Sequence, residues 1–257
     1  MRKGLFVFAA VAGVMATMAC GMQKKEIKTE TIHFKSQDGV EMTGDLYVSG
    51  KSGGPLIILY HMADSSRGEY LDIAPKLNKL GFDCLAVDQR SGYEEKGVRN
   101  LTMDDARKKG KGLSYAAAYI DVESALAYAK EALKPSAIIL WGSSYSSDHV
   151  LVAAARHPGD VAAVLSFSPG GYSEYGDSSL ADFMAKVSCP VFMTSSVSEA
   201  ARSRNYFDMI PGDRKVFFLP KSGEGEHGSP ALWDSCDAQA EYWAAVKAFL
   251  SPFAKQG

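Results

Sequence analysis

Residues 137–146 read Ala137-Ile138-Ile139-Leu140-Trp141-Gly142-Ser143-Ser144-Tyr145-Ser146, and this stretch decides the fold. The five apolar residues from Ala137 to Trp141 suit a strand buried on both faces. A turn of small polar residues follows, and Ser147 to Arg156 then carries apolar residues at helical spacing. A serine on a sharp strand-to-helix turn, with small residues two before and two after it, is a nucleophile elbow. Larger side chains at those two positions would collide with neighbouring backbone. Gly142 and Ser146 occupy them, so the register selects Ser144 over Ser143, Ser146 and Ser147. Ser146 stands where such turns usually carry a second glycine. A serine-rich helix cap would use the same letters, but the strand before and the helix after favour the elbow.

A serine hydroxyl is a weak nucleophile at neutral pH and needs a base. The chain has five histidines. His33 falls in the first strand, His61 ends the third, and His149 and His157 lie on or just after the elbow helix. Only His227 follows the last strand, in the glycine-rich loop Lys221-Ser-Gly-Glu-Gly-Glu-His227-Gly-Ser, which can bend back over the elbow. A carboxylate should fix the tautomer of that base and stabilise its imidazolium. Glu199, shortly after the seventh strand, is the first candidate; Asp177 and Glu226 are its rivals. The order Ser144, Glu199, His227 is nucleophile, acid, base. Backbone N–H groups should bind the oxyanion. Tyr145 supplies one, and Tyr60 to Arg67, just after the third strand, should supply the other.

Outward from the elbow the chain alternates strand and helix. Ile27 to Ser36 and Val40 to Val48 read as a hairpin about the Asp38-Gly39 turn. Apolar runs follow at Pro55 to Tyr60, Phe82 to Val87, Ala137 to Trp141, Val161 to Phe167, Val191 to Thr194 and Val216 to Leu219. Helical spacing marks Glu69 to Leu80, Tyr115 to Leu133, Ser147 to Arg156, Glu199 to Ile210 and Ala238 to Leu250. The pattern predicts an α/β domain with a mostly parallel eight-stranded sheet, helices on both faces and an antiparallel N-terminal hairpin.

The first nineteen residues read as a signal peptide, not as fold. Arg2 and Lys3 precede an uncharged run, Leu5 to Met18, that ends at Ala19-Cys20. Thr17-Met18-Ala19-Cys20 resembles a bacterial lipobox, with Thr17 where leucine is usual. The resemblance implies a lipid on Cys20, a membrane anchor in the cell envelope, a tether over residues 20–28 and a mature domain over 29–257; a plain secretory signal is the other reading. The remaining cysteines, Cys84, Cys189 and Cys236, are too dispersed to predict a disulfide. At 257 residues, 46% hydrophobic, 23% charged and with a net charge of −2, the chain is excluded from disordered and fibrous classes. No global basic surplus argues for nucleic acid, and no metal or phosphate motif calls for a cofactor.

Together these residues resemble the α/β-hydrolase superfamily over nearly everything after residue 27. His61-Met62-Ala63 is similar to the family's His-Gly-x segment, whose third residue donates to the oxyanion, so the resemblance implies Ala63, with Met62 as the alternative donor. Asp88-Gln-Arg-Ser-Gly92 is similar to the loop after strand four. The compact length is most similar to the dienelactone-hydrolase-like branch, in which a cysteine often stands where this chain has Ser144. The implied chemistry is hydrolysis of an ester or related acyl bond through an acyl-enzyme. A peptidase of the same fold and a non-catalytic binding module are the alternatives. Tyr172, after strand six, and Met62 are candidate substrate contacts. The segment 89–113 is an insertion with seven basic and four acidic residues between Arg90 and Lys111, a small lid, an anion-steering patch or a solvated helix–loop face.

Overall fold

The computed structural model describes residues 28–50 and 53–254; the signal peptide, Cys20 and most of the tether lie outside them. The eight strands are β1 (Lys28–Lys35), β2 (Glu41–Val48), β3 (Leu56–Tyr60), β4 (Asp83–Val87), β5 (Ile138–Ser143), β6 (Ala163–Phe167), β7 (Val191–Thr194) and β8 (Lys215–Phe218). They form one sheet in the order β1-β2-β4-β3-β5-β6-β7-β8. β1 and β2 pair antiparallel, Lys28 opposite Val48 and Lys35 opposite Glu41, and β2 joins β4 antiparallel. Every other pairing is parallel. The sheet predicted from the apolar runs is the sheet observed.

Alternation along the strands splits the interior in two. Ile58, Tyr60, Leu85 and Leu140 face one core, beneath α3 (Tyr115–Tyr128) and α4 (Tyr145–Arg156). Ile57, Leu59, Ala86, Ile139 and Trp141 face the other, beneath α1 (Ala74–Lys79) and α7 (Gln239–Leu250). β3 and β5 are buried at every residue, as a strand covered on both faces must be. Among the described residues no helix is long and apolar enough to cross a membrane.

Two helices differ from expectation. The stretch Glu69 to Leu80 is broken: Arg67–Tyr70 makes one tight 3-10 turn, and α1 begins only at Ala74, with Pro75 in its first turn. The stretch to Leu133 is α-helical only to Tyr128 and finishes as a π turn, Ala129–Leu133, ending at Lys134 in the left-handed region (φ 48°). Pro135 disfavours an α conformation at the residue before it. α5 (Ala181–Met184) and α6 (Ala200–Met209) complete the layer beside α4.

The insertion is a packed piece of framework. It contains a two-residue ribbon, Glu94–Glu95 with Val98–Arg99, and α2 (Leu101–Lys108). Thr102 Oγ1 accepts the Thr43 N–H at 2.9 Å and Asp105 accepts the Glu41 N–H at 2.6 Å, so α2 closes the end of β2. Five of its seven basic side chains are ion-paired: Arg90 to Asp38 and Asp121, Lys96 to Asp72, Arg99 to Asp104, Lys109 to Asp105, and Lys111 to Asp38. Those pairs fasten the insertion to the domain, and its helix–loop face carries the exposed Arg107 and Lys108.

Candidate active site

At the end of β5 the chain turns through Ser144 with φ 56° and ψ −125°, and α4 starts at the next residue. A non-glycine residue held there stores about 1–3 kcal/mol of backbone strain, which the surroundings must hold in place. They do so from both sides. The Ser144 N–H donates to Phe167 O at 2.9 Å, fastening the elbow to β6. A Cβ on Gly142 would sit 2.2 Å from Ser146 O, so only glycine fits that position. Ser146 is fully buried, and its hydroxyl donates to His61 O at 2.6 Å and lies 2.7 Å from Gln89 Oε1. The hydroxyl thus links the elbow helix to the loops after β3 and β4, a tie that a second glycine could not make.

The loop after β8 brings His227 over the elbow. His227 Nε2 is 2.8 Å from Ser144 Oγ, and His227 Nδ1 is 2.6 Å from Glu199 Oε1. Glu199 immediately precedes α6. Its second oxygen accepts the Ser168 hydroxyl at 2.8 Å, and Ser168 Oγ in turn accepts the Gly228 N–H at 3.0 Å. Burial acts to raise the Glu199 carboxyl, but the hydrogen bonds from His227 and Ser168 outweigh it and hold it at about 2. Asp177 and Glu226 are exposed, and among the described residues neither makes a hydrogen bond to His227. The other histidines are engaged elsewhere. His61 is fully buried between Met62 O and the Gln89 N–H, and His149 between Tyr175 Oη and Tyr115 O; burial lowers both to about 4.

The turn after β3 separates the two oxyanion candidates. The Met62 N–H donates to Glu69 Oε2 at 2.7 Å and is spent. The Ala63 N–H meets no acceptor among the described residues, and Ala63 is half-buried. Tyr145, first residue of α4, has an N–H that the helix cannot use. Its ring stacks on Tyr115 with centroids 4.6 Å apart, which fixes the start of the helix. Tyr172, in the loop after β6, is half-buried and neighbours Ser144. Asp148 on α4 holds its loop by accepting the N–H groups of Gly170 (3.1 Å) and Tyr172 (2.6 Å). Met62, in the turn after β3, is half-buried as well.

A family described as "alpha/beta hydrolase fold" matches residues 54–187, just over half of the chain's 257 residues. The chain belongs to the alpha/beta hydrolase fold family. Curated proteins give no match by sequence. Solved structures give the same fold at low identity. A dienelactone hydrolase from Anabaena variabilis superposes with a TM-score of 0.67 at 14% identity, over 89% of this chain and 99% of that one. An esterase from Pyrococcus furiosus gives 0.61 at 15%, over 89% and 92%. Dipeptidyl peptidase 4 from Porphyromonas gingivalis gives 0.63 at 16%, over 88% of this chain but 36% of that one.

Within this family member three polar residues of the site escaped the sequence reading. Ser168 was legible only as part of a loop, yet it sits at φ 60° and joins the acid to the base loop. Glu69 and Asp148 read as ordinary helix carboxylates; both are fully buried. Their one signal was that each lies within a few residues of a turn already marked as chemical. Among the described residues no group of three or more His, Cys, Asp or Glu is gathered as metal ligands would be.

Proposed function

We propose that the protein is a serine hydrolase that cleaves an ester or related acyl bond through an acyl-enzyme. The observation that carries this reading is the run of contacts from Ser144 Oγ to His227 Nε2 (2.8 Å) and from His227 Nδ1 to Glu199 Oε1 (2.6 Å). Ser144 attacks the carbonyl carbon while His227 takes its proton. Glu199, anionic at neutral pH, holds the Nδ1–H and stabilises the imidazolium. The Tyr145 and Ala63 N–H groups bind the oxyanion. The imidazolium then protonates the leaving alcohol, and the acyl group stays on Ser144. Water, deprotonated by the same imidazole, attacks that ester, and the acid leaves as Ser144 recovers its proton. Tyr172 and Met62 flank the acyl group. An ester is the first reading because an esterase and a dienelactone hydrolase share this fold over nine-tenths or more of their own length; a peptide is the second, since a peptidase shares it too. The lipobox-like Cys20 supports anchoring in the cell envelope through a lipid.

The test is fluorophosphonate labelling of the full chain in cells, followed by fractionation and an ester panel. Wild type should label in the membrane fraction, Cys20→Ser in the soluble fraction, and Ser144→Ala nowhere, with ester turnover at least about 10⁴-fold lower. Equal labelling of Ser144→Ala sinks the assignment of the nucleophile.

A further inference from the structure

Beneath the oxyanion turn lies a carboxyl group that the reaction above does not use. Glu69 is 0% exposed, and no cationic side chain among the described residues lies within ion-pair distance of it. A bare carboxylate in such a place is costly, and an apolar side chain of similar volume would fill the space at less expense. What Glu69 does there is accept. Oε2 takes the Met62 N–H at 2.7 Å. Oε1 has no hydrogen-bond partner among the described residues, and the side chains of Ser143 and Ser229 are its polar neighbours. The Ser143 hydroxyl donates to no acceptor among the described residues, and Ser229 Oγ lies 3.4 Å from Tyr70 Oη, which itself donates to Tyr60 O. Ser143 Oγ already accepts the Ser229 N–H at 2.8 Å, and Ser229 Oγ accepts Trp141 Nε1 at 2.9 Å, so the acceptor role of each is in use. The Glu69 backbone is pinned in turn, because its carbonyl accepts Trp233 Nε1 at 3.0 Å.

Met62 and these two serines belong to three different parts of the site. Met62 precedes Ala63 in the oxyanion turn, Ser143 precedes Ser144 in the elbow, and Ser229 is two residues beyond His227. The approach of the third part is close. Gly228 has φ +69°, and a Cβ there would lie 2.5 Å from Ser143 Oγ. We propose that Glu69 is a positioning residue for acyl transfer: it clamps the Met62 N–H and packs the oxyanion turn against the Ser143–Ser229 link between elbow and base loop, so that the Ala63 N–H keeps its aim at the developing oxyanion. The inference rests on the serine-hydrolase reading. An N–H that is pre-aimed stabilises charge only as it forms in the transition state, so loss of the clamp should fall on kcat and spare KM. Burial pushes the Glu69 carboxyl up to about 7, with Glu95 adding in the same direction and the contacts to Ser143, Met62 and Ser229 opposing; Tyr70 and Tyr145 are the other titratable groups nearby. Either protonation state still offers Met62 an acceptor, as would glutamine.

The experiment compares wild type, Glu69→Ala, Glu69→Gln and Ser229→Ala on one activated ester, with active sites counted by fluorophosphonate titration so that unfolded protein is not scored. Glu69→Ala should lose about 10²-fold in kcat with KM within about threefold, the scale of one lost oxyanion donor. Glu69→Gln should keep kcat within about fivefold, because its amide oxygen rescues the clamp. If Glu69→Ala does not fold, Ser229→Ala carries the test, with kcat several-fold lower at constant KM. A Glu69→Ala kcat per site within threefold of wild type overturns the proposal, as does an unchanged kcat in Ser229→Ala. Wild type with no esterase activity at all overturns the serine-hydrolase reading instead. The clamp is then judged by amide exchange at Met62: slow in wild type and Glu69→Gln, fast in Glu69→Ala or, if that variant does not fold, in Glu69→Asp, whose carboxyl stops one methylene short. Equal protection in all variants refutes it.

Discussion

Carboxylates are buried on two sides of the site, and the two sides treat them differently. On the insertion side, Asp88 and Asp121 are fully buried against guanidinium groups: Arg67 at 2.7 Å from Asp88, and Arg90 at 2.7 Å from Asp121, with Asp38 on its other edge at 2.9 Å. On the elbow side, Glu69 and Asp148 are equally buried, but the hydrogen bonds that hold them come from backbone N–H groups and neither is in an ion pair among the described residues. Glu199 lies between, bound to the one group that must become a cation during the proposed reaction. The difference has a physical logic. A permanent guanidinium within a few ångströms of His227 would disfavour the imidazolium, whereas oriented dipoles hold a loop without adding a full positive charge. The insertion side is fastened by charge; the elbow side is fastened by dipoles and leaves its positive charge to His227.

The largest effect should come from the middle of that arrangement. Glu199→Gln keeps the shape but removes the charge facing Nδ1, and it presents an amide that favours the wrong imidazole tautomer. A loss in kcat of about 10⁴-fold is expected at pH 7, with the melting temperature little changed. Stopped assays on the same ester with Glu199→Gln and wild type measure it; a loss under tenfold would mean that another carboxylate serves His227.

The insertion side should respond in stability and not in chemistry. Arg90→Met strands Asp121 in the interior with no cation, and such a broken buried pair costs about 3–5 kcal/mol. Urea unfolding should report that loss, while turnover per active site in the folded fraction stays near wild type. Adding Asp121→Asn should return much of the stability, since the stranded charge is what hurts. If Arg90→Met lowers turnover per site as much as it lowers stability, the two sides are not separable and the contrast fails.

The same contrast explains what could be read from residues alone. β3, β4, β5, β6 and β7 declared themselves because strands buried on both faces need unbroken apolar runs, and those runs have sharp ends. The elbow declared itself because its turn leaves few residue choices at Gly142 and Ser146. Ser144, Glu199 and His227 could be named from their order along the strands, and the structure brings the three within hydrogen-bond distance. The helix ends were less legible. The break after Tyr70 and the π turn after Tyr128 depend on tertiary packing that no local pattern carries. The dipole-held carboxylates were not legible at all. A glutamate at the head of a helical pattern is usually solvated; here Met62, seven residues back, donates to it, and Ser143 and Ser229 approach from distant parts of the chain.

Asp148 gives the smallest effect and the sharpest test of the dipole-held side. Burial pushes its carboxyl up to about 7, while the N–H groups of Tyr172, Gly170 and Gly171 and the charge of Arg202 oppose it. Tyr172, Tyr175 and Tyr206 are the other titratable groups around it. The folded protein therefore holds this proton over a range where the unfolded chain, with an aspartate near 4, has lost it. The corresponding stability is fully present below about pH 4 and is lost as pH rises through 7. Asp148→Asn resembles the protonated form and cannot titrate. Its unfolding free energy, minus that of wild type, should rise by about 2 kcal/mol between pH 5 and 7 and then level off. Using the difference is essential, because Glu69 titrates in the same direction and the buried His61 and His149, both lowered to about 4, titrate in the opposite one. Urea unfolding of both proteins at half-unit steps measures the curve. A flat difference would mean that Asp148 stays ionised when folded; a guanidinium, Arg202, would then be fastening the Tyr172 loop, and the elbow side would be held by charge after all.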